Sequence, residues 1–282
     1  MQNIETCSCP LCGAEGVTPS HYDFSPYRVV QCVSCDFWYL SPRLTEAAML
    51  AEYASDCYFS GGDGLDEGYS DYALQEKSLR PTFANFLAGM KRAGLTGGRL
   101  LEVGCGYGYL LDEAKPYFDY RAGTDFSQGA VERASCYADR VYLGGVDAIE
   151  ENDRFDCIVA VEVLEHIYDP HQFMQKLYDK LVPGGVVVVA VPDMGSLWRK
   201  ALQSKWPSFK MPEHVTYYDE NTLQRLFDDN HFAAVEKIAF PHAFPLPEIM
   251  NKLKMSWLSV PRWNVWLPGV VLAMAARRPN GR

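Results

Sequence analysis

Residues 99–108 read RLLEVGCGYG, a short apolar run that ends in glycines at positions 104, 106 and 108. The run predicts a strand, and residues 109–117 after it predict a helix. Glycines at such a junction let the backbone turn tightly and approach a ligand closely. The dinucleotide fingerprint G-x-G-x-x-G requires glycine where this chain has Tyr109. The loop, with Glu102 before it, therefore indicates a cofactor that lacks a pyrophosphate.

Strands and helices alternate on both sides of this loop. Further strands are predicted at residues 120–126, 140–143, 155–163, 186–192, 233–240 and 270–279. Helices are predicted at residues 74–92, 128–138, 170–181 and 221–229. This alternation indicates βαβ units, and we expect an α/β fold with a doubly wound, mostly parallel, seven-stranded sheet.

Acidic residues follow the second and third of these strands. Asp125 ends the second strand, where a carboxylate can accept hydrogen bonds from both hydroxyls of a ribose. Asp147 follows the third strand and can accept from the exocyclic amine of an adenine, next to the backbone N–H of Ala148. The ring of Phe126 can pack on the adenine face. These positions predict a nucleoside site at the carboxyl ends of the strands.

Five of the nine cysteines lie before residue 36, and four of them form the C-x-x-C pairs Cys9–Cys12 and Cys32–Cys35. A two-residue gap lets one tight turn aim two sulfurs at one ion, and two such turns complete a tetrahedral site that suits zinc. Four thiolates leave no open position for catalysis. We therefore expect a structural ion that stabilises a small zinc-ribbon subdomain.

Other interpretations of the N-terminal cysteines stay open. In one alternative the four residues are free thiols. Cys7 is a second choice for the place of Cys9, although it breaks the spacing, and His21 is a weaker substitute ligand.

Composition excludes several classes of protein. The chain has 282 residues, a formal net charge of −10 and 48% hydrophobic residues, which disfavours a disordered chain and a nucleic-acid-binding surface. No run approaches the roughly 18 apolar residues of a transmembrane helix, so we expect no stable membrane insertion. The start, MQNIETCSCP, has neither the basic nor the apolar region of a secretory signal. With its many cysteines, such a chain is expected in the reducing cytoplasm.

Two motifs beyond the loop point to a family. The fourth strand runs into VEVLEH at residues 161–166, and PEHVTYY occupies residues 212–218. With the glycine loop, Asp125 and Asp147, they resemble the class I S-adenosylmethionine-dependent methyltransferases. The LEH and PEHVTYY stretches look like the branch with ubiquinone-type O-methyltransferases and zinc-ribbon sugar C-methyltransferases. The resemblance covers about residues 69–240 and implies a Rossmann-like methyltransferase fold, while the cysteine pairs match the zinc-ribbon members separately.

The resemblance also implies how individual residues bind S-adenosyl-L-methionine. Gly104, Cys105 and Gly106 would line its methionine part, with Glu102 ordering the loop or only capping it. The other implied cofactor-binding residues are Tyr69, Tyr72, Asp125, Phe126, Asp147, Ala148, Val161 and Glu162. The two tyrosines would close over the methionine carboxylate, although ordinary packing explains them equally well.

Candidate catalytic residues follow from what methyl transfer requires. The acceptor must be aligned with the sulfonium, and a base is needed where the acceptor loses a proton. His166 and His214 follow strands on the expected side of the sheet. Glu213 and His214 resemble an acid–histidine pair of the sugar C-methyltransferases and form the favoured catalytic pair. A loop-ordering role is the alternative for His214, and for His166 a structural role is favoured over catalysis.

The chain divides into three predicted segments. A zinc-ribbon subdomain spans residues 1–45, a connecting or lid segment with a helix spans 46–98, and the S-adenosylmethionine-binding domain spans 99–282. Insertions at about 194–212 and 241–268 carry many aromatic residues. These suit a lid over the acceptor, a homodimer interface or a packed helix pair, and the stretch KLKMSWLSVPRW also allows a membrane-surface role.

These observations predict an enzyme that methylates a small molecule at oxygen or carbon, such as a natural product, a sugar or a quinone-like metabolite. The alternative is a zinc-ribbon RNA methyltransferase. Against it, Arg28 is the one basic residue before Pro42, and phosphate contacts require Lys and Arg. A non-catalytic scaffold is disfavoured because the glycine loop and both acids are intact.

Overall fold

The computed structural model describes residues 3–53, 75–245 and 264–281. Two predicted cofactor residues, Tyr69 and Tyr72, lie outside these ranges, as does most of the insertion at 241–268. No helix within the described ranges is long and apolar enough to cross a membrane.

The N-terminal residues form short antiparallel strands. They are β1 (Ile4–Glu5), β2 (Val17–Phe24), β3 (Tyr27–Cys32), β4 (Trp38–Leu40) and β5 (Arg43–Leu44). β2, β3 and β4 pair in chain order, and β1 pairs separately with β5. The predicted cysteine pairs flank this arrangement, one before β2 and one at the turn from β3 to β4.

Two helices follow, α1 (Glu46–Tyr53) and α2 (Glu76–Arg92), and α2 confirms the helix predicted at 74–92. The apolar residues that α2 buries are Leu79, Phe83, Phe86, Leu87 and Met90. Pro81 inside α2 has no N–H for the carbonyl of Lys77, four residues earlier. The side-chain amide of Asn264 donates to that carbonyl at 3.2 Å and satisfies it.

Strands and helices alternate through the rest of the chain. In order they are β6 (Arg99–Val103), α3 (Tyr109–Glu113), β7 (Tyr120–Asp125), α4 (Gln128–Ala134), β8 (Arg140–Leu143), β9 (Phe155–Val161), α5 (Pro170–Lys180), β10 (Leu181–Pro192), α6 (Leu197–Leu202), β11 (Thr216–Tyr217), α7 (Glu220–Asp229), β12 (Ala233–Ile238), β13 (His242–Pro245), β14 (Asn264–Leu267) and β15 (Val271–Arg277). All predicted strands are present. α3 ends earlier than predicted, because Pro116 disfavours helical backbone at the residue before it.

Seven strands form the central sheet, in the order β12-β15-β10-β9-β6-β7-β8. Neighbouring strands from β10 to β8 are parallel, and β15 is antiparallel to both of its neighbours. The predicted doubly wound, mostly parallel, seven-stranded sheet is confirmed. The chain builds outward from β6 through β7 and β8 and then returns to the other side at β9. Ligands of such sheets bind at the carboxyl ends of the strands at this switch point.

The two faces of the sheet bury different partners, because successive side chains of a strand point to opposite faces. Leu100 and Val159 face a core shared with α2, α3 and α4. Leu101 and Ile158 face a second core shared with α5, α7 and the N-terminal strands. The N-terminal residues are therefore part of the covering of the sheet.

β11 lies outside the central sheet. It extends the N-terminal strands into a four-stranded sheet of order β11-β4-β3-β2, called here the N-terminal sheet. The ring of Phe37 packs against that of Tyr218, with centroids 4.9 Å apart. His171 of α5 contacts the carbonyl of Leu11 through Nε2 at 2.9 Å. Strand pairing, ring packing and hydrogen bonds thus tie the cysteine-bearing turns to the α/β domain.

Candidate functional site

The glycine loop lies at the switch point, between β6 and α3. Gly104, Gly106 and Gly108 have φ values of 69°, 50° and 80°, in the left-handed region that favours glycine. A Cβ atom on Gly104 would lie 2.6 Å from Cγ2 of Val163. The loop after β6 and the segment after β9 are therefore in direct contact.

The side chain of Cys105 points into the core. Cys105 is 2% exposed, and a Cβ atom on Gly123 of β7 would lie 2.7 Å from its Sγ. The backbone amide of Cys105 donates to the carbonyl of Thr124 at 2.9 Å, which fixes the loop on β7. A ligand would therefore contact the backbone of this part of the loop and occupy the space beside its glycines.

Two buried carboxyl groups support the loop. Asp125 accepts the backbone amide of Gly106 on Oδ2 and that of Ser127 on Oδ1, both at 2.9 Å. Burial raises the pKa of Asp125 in spite of these bonds. Burial and the charge of Asp125 raise the pKa of Glu102 well above its usual range. Oε2 of Glu102 is buried and has no hydrogen-bond partner among the described residues.

The residues predicted for the adenine lie at the ends of neighbouring strands. Asp125 of β7 is in register with Leu143 of β8, and the amide of Gly144 donates to the carbonyl of Asp125 at 2.8 Å. Phe126 is 59% exposed, and a Cβ atom on Gly145 would lie 3.1 Å from its Cζ. An exposed aromatic face thus stands beside the carboxylate predicted to bind a ribose.

Asp147 and Ala148 lie on the 3-10 turn that follows β8. Oδ2 of Asp147 accepts from Nζ of Lys176 at 2.6 Å, at a position where the Asp147 side chain is 75% exposed. The amide of Ala148 donates to the carbonyl of Gly145 at 3.0 Å. An adenine bound to Asp147 and Ala148 would share the bonds that they make with Lys176 and Gly145, or take their place.

A second group of polar side chains follows β9. β9 ends at Val161, and Glu162 has a φ of 54°, which redirects the chain into the turn Leu164–His166. The ligand atoms of Glu165, His166 and His214 lie within 4.8 Å of one another. These three side chains, called here the Glu-His-His group, come from the turn after β9 and the loop before β11.

Burial determines the protonation of the Glu-His-His group. Burial and the facing carboxyl of Glu162 raise the pKa of Glu165 well above its usual range. Neither carboxyl oxygen of Glu165 makes a hydrogen bond within the described part of the chain. Burial and the charge of Lys210 lower the pKa of His166 to about 3, and burial with the nearby His166 lowers that of His214 well below 6.5. Both imidazoles are therefore neutral near pH 7.

The tautomer of His214 follows from its neighbours. Nδ1 lies 2.9 Å from the carbonyl oxygen of Ser208, which can only accept, so Nδ1 carries the hydrogen. The lone pair is then on Nε2. The hydroxyl of Tyr217 donates to the backbone carbonyl of His214 at 2.9 Å and holds the residue in place. This is the form of histidine that a general base requires.

The carboxyl group of Glu165 lies next to the two histidines. The predicted partner, Glu213, is 4% exposed and makes a backbone hydrogen bond with His166, but it does not belong to the Glu-His-His group. The sequence motifs did not single out Glu165 as a site residue. Its place directly before His166 in the LEH stretch was the available signal.

Two chemical uses suit the Glu-His-His group. Two neutral imidazoles and one carboxylate can ligate a divalent cation. Alternatively, the lone pair of a neutral imidazole can take a proton from an acceptor, and a carboxyl oxygen of Glu165 can accept a hydrogen bond from the imidazolium that results. Both uses depend on the neutral imidazoles that burial provides.

The four predicted cysteine ligands converge. The Sγ atoms of Cys9 and Cys35 are 3.6 Å apart, as are those of Cys12 and Cys32, and all four lie within 4.8 Å of one another. Tetrahedral zinc with bonds near 2.3 Å would hold sulfurs about 3.8 Å apart, so the four residues fit this ion. The amide of Ser34 donates to Sγ of Cys32 at 3.3 Å.

The two alternative ligands have other contacts. Sγ of Cys7 lies 3.7 Å from the carbonyl oxygen of Leu40, and Nε2 of His21 lies 3.0 Å from Oδ2 of Asp23. Neither residue belongs to the group of four.

Residues 194–212 pack on the N-terminal sheet. The ring of Phe209 lies 4.7 Å from that of Tyr22 and 5.3 Å from that of Phe24, measured between centroids. Trp206 meets Phe209 edge to face at 5.1 Å. Nη1 of Arg199 donates to the hydroxyl of Tyr22 at 3.2 Å. The buried aromatics of this insertion thus join the N-terminal sheet to the α/β domain.

Comparison with known proteins agrees with this geometry. The family described as "Methyltransferase domain" matches residues 75–237, more than half of the chain. The "Ubiquinone biosynthesis O-methyltransferase" of Bradyrhizobium diazoefficiens is 29% identical over 144 residues, and that of Rhodopseudomonas palustris strain BisA53 is 24% identical over 172 residues. The alignments cover 44% and 54% of this chain and 57% and 65% of the relatives. The chain therefore spans less than two thirds of the length of these relatives.

Solved structures share the fold. A methyltransferase from Thermotoga maritima, described as a possible histamine N-methyltransferase, has a TM-score of 0.54 at 18% identity and covers 73% of this chain and 92% of its own. An S-adenosylmethionine-dependent methyltransferase from Archaeoglobus fulgidus has a TM-score of 0.53 at 16% identity and covers 73% of this chain and 100% of its own. At such identities the likeness concerns the fold.

Proposed function

The chain belongs to the S-adenosylmethionine-dependent methyltransferases, and from this membership we propose that it methylates a small-molecule acceptor at oxygen or carbon. The observation that carries the proposal is the buried Glu-His-His group. It follows β9, the strand next to the glycine loop, where the cofactor's methyl group and an acceptor would meet.

The cofactor supplies an electrophilic methyl group on a sulfonium. Its methionine part would rest on the backbone of Gly104, Cys105 and Gly106, with Glu102 ordering the loop. Each oxygen of Asp125 holds one backbone amide and keeps a lone pair for a ribose hydroxyl. The residues proposed to complete the site are Tyr69, Tyr72, Phe126, Asp147, Ala148, Val161 and Glu162.

His214 is the proposed general base. Its neutral ring has the lone pair on Nε2, on the side away from the Ser208 carbonyl. When the ring takes a proton, a carboxyl oxygen of the neighbouring Glu165 can accept a hydrogen bond from the imidazolium. His166 and Glu213 then act as positioning residues, His166 by its edge-to-face contact with His214 and Glu213 by its backbone bond to His166.

An acceptor that must lose a proton matches this arrangement. A hydroxyl of a quinone-like ring, a sugar or another natural product meets the requirement, and so does an acidic carbon next to a carbonyl. The ubiquinone-biosynthesis relatives support the first class, although the aligned region is only part of their length.

Zinc is the proposed ion of the cysteine cluster.

Methylation of RNA is the second candidate function. Two observations weigh against RNA. The net charge of the chain is −10. The N-terminal sheet also has residues 194–212 packed on its aromatic side chains and shares a core with α5 and α7, which reduces the surface left for phosphates.

Calorimetric titration with S-adenosylmethionine tests the cofactor site. The Asp125→Ala variant should lose binding, because the Gly106 amide of the loop and the ribose both lose their acceptor. Asp119→Ala, an exposed carboxylate just before the opposite end of β7, is the matched control and should bind normally. Normal binding by Asp125→Ala would refute the cofactor placement.

Release of S-adenosylhomocysteine tests the acceptor class. The panel should contain catechols, nucleotide-linked keto sugars and a structured RNA transcript. Turnover of a small molecule supports the proposal, and turnover of the transcript alone would replace it with the RNA candidate.

A further inference from the structure

The segment with His214 leads directly into β11, which pairs with the N-terminal sheet. The two residues of β11 are in antiparallel register with Tyr39 and Trp38 of β4. The backbone amide of Leu40 donates to the carbonyl of Val215 at 2.9 Å. The residue after His214 is therefore bonded to β4.

The same segment is bonded on its other side to the turn after β9. The amide of Val215 donates to the carbonyl of Glu165 at 2.9 Å, and the hydroxyl of Thr216 donates to the carbonyl of Leu164 at 3.1 Å. Val215 thus donates its N–H to the turn that carries Glu165 and accepts a hydrogen bond from β4 with its C=O. One residue joins the Glu-His-His group to the N-terminal sheet.

β4 in turn begins three residues after the second cysteine pair. The turn from β3 to β4 contains Cys32 and Cys35 and is closed by the amide of Cys32, which donates to the carbonyl of Phe37 at 2.9 Å. Phe37 at the end of this turn is buried, and an ion on Cys32 and Cys35 would add to that packing by fixing the turn to the first cysteine pair. Loss of the ion should loosen β4 first.

We propose that metal binding by Cys9, Cys12, Cys32 and Cys35 positions the acceptor site through the pairing of β4 with β11. The cysteine-bearing subdomain is then a positioning element for His214 and Glu165. The glycine loop and Asp125 are held by bonds within the central sheet, so cofactor affinity should not depend on it. The effect of this coupling on catalysis rests on the proposed function. The coupling itself, between the metal site and residues 213–218, does not.

The full chain tests the proposal by hydrogen exchange. Zinc is removed with a chelator or by Cys32→Ser, and Cys136→Ser, at an exposed free cysteine, is the matched control. We expect metal loss to speed exchange in peptides covering 213–218 by about tenfold or more, whereas exchange in 99–108 and affinity for S-adenosylmethionine change by less than about twofold. Adding zinc back to the chelated protein should restore protection.

A second variant breaks the contact without touching a cysteine. Leu40→Pro removes the amide that donates to Val215, and Leu40→Val keeps it. Leu40→Pro should retain zinc and cofactor binding, show fast exchange at 213–218, and lower kcat for any acceptor that the wild type turns over.

Several outcomes would overturn the proposal. They are a wild-type chain without bound zinc, unchanged exchange at 213–218 after verified metal loss, and equal acceleration at 99–108, which would mean general unfolding. If exchange responds as expected but His214→Ala turns over normally, the proposed base is wrong and the coupling stands.

Discussion

The imidazole rings of His166 and His214 meet edge to face, with their centroids 4.7 Å apart. His166 follows a central strand, whereas His214 precedes a strand of the N-terminal sheet. The two rings and the carboxyl of Glu165 are buried together, so each group is held in its neutral form or paired with a neighbour. The geometry of the group therefore depends on the placement of both segments.

Replacement of His214 with alanine should lower kcat by about 10²–10⁴-fold, the usual contribution of a positioned base. Affinity for S-adenosylmethionine should not change, because the glycine loop and Asp125 are separate from this histidine. Steady-state kinetics and calorimetry measure the two quantities. His231→Asn is the control, since His231 is exposed and asparagine tolerates its φ of 65°. A normal kcat for His214→Ala would remove this residue from the mechanism.

Gly104→Ala should destroy cofactor binding. Its Cβ atom would lie 2.6 Å from Val163, and the left-handed backbone adds about 1–2 kcal/mol of strain. Gly94→Ala separates the two effects, because Gly94 has a similar φ of 70° but nothing within 4 Å of the added atom. Of the two variants, only Gly94→Ala should bind the cofactor in calorimetry. Equal affinities for the two variants would mean that the contact with Val163 is unimportant.

Glu165→Gln should become more stable relative to the wild type as pH rises. The folded chain raises the pKa of Glu165, so the stability contributed by its protonated form is lost as pH rises through the folded-state value. Glutamine does not titrate and avoids an ionised carboxylate without a partner, a gain of about 1–3 kcal/mol at pH 8. Urea unfolding at pH 4 and pH 8, without added divalent cations, measures the difference. The exposed Glu236→Gln is the control, and a difference independent of pH for Glu165→Gln would contradict the prediction.

His166 should make the wild type less stable in acid. Its pKa falls from 6.5 to about 3 on folding, so between these values the unfolded chain binds more protons. Stability is then lost as pH falls below 6.5, with a slope that approaches about 1.4 kcal/mol per pH unit for this one group. The His166→Gln variant should lose less unfolding free energy than the wild type between pH 7 and pH 4.5. Parallel losses in the variant and the wild type would show that His166 is not the group responsible.

Most of the fold was predictable because its signals are local. An apolar run such as RLLEV, a glycine loop and a following helix each depend on residues a few positions apart, and all begin at the expected places. The cysteine pairs were predictable for the same reason, since two residues of spacing define one turn around one ion.

The Glu-His-His group was less predictable. The sequence pairs Glu213 with its neighbour His214, and the structure in addition groups the carboxyl of Glu165 with the rings of His166 and His214. Sequence proximity favoured the first pair, whereas the bond from the amide of Val215 to the carbonyl of Glu165 determines the second. No local pattern records such a bond, because it joins two loops that meet only when the sheet has formed.

Sequence alone was enough for the strand and helix order and for the two C-x-x-C turns whose sulfurs cluster in the structure, because short-range spacing specifies each of them. Folding in three dimensions was needed to pair β4 with β11 and to bring Glu165 beside His166 and His214. Those partners lie far apart along the chain, and their meeting depends on the order of strands in two sheets and on the shared burial of side chains from both.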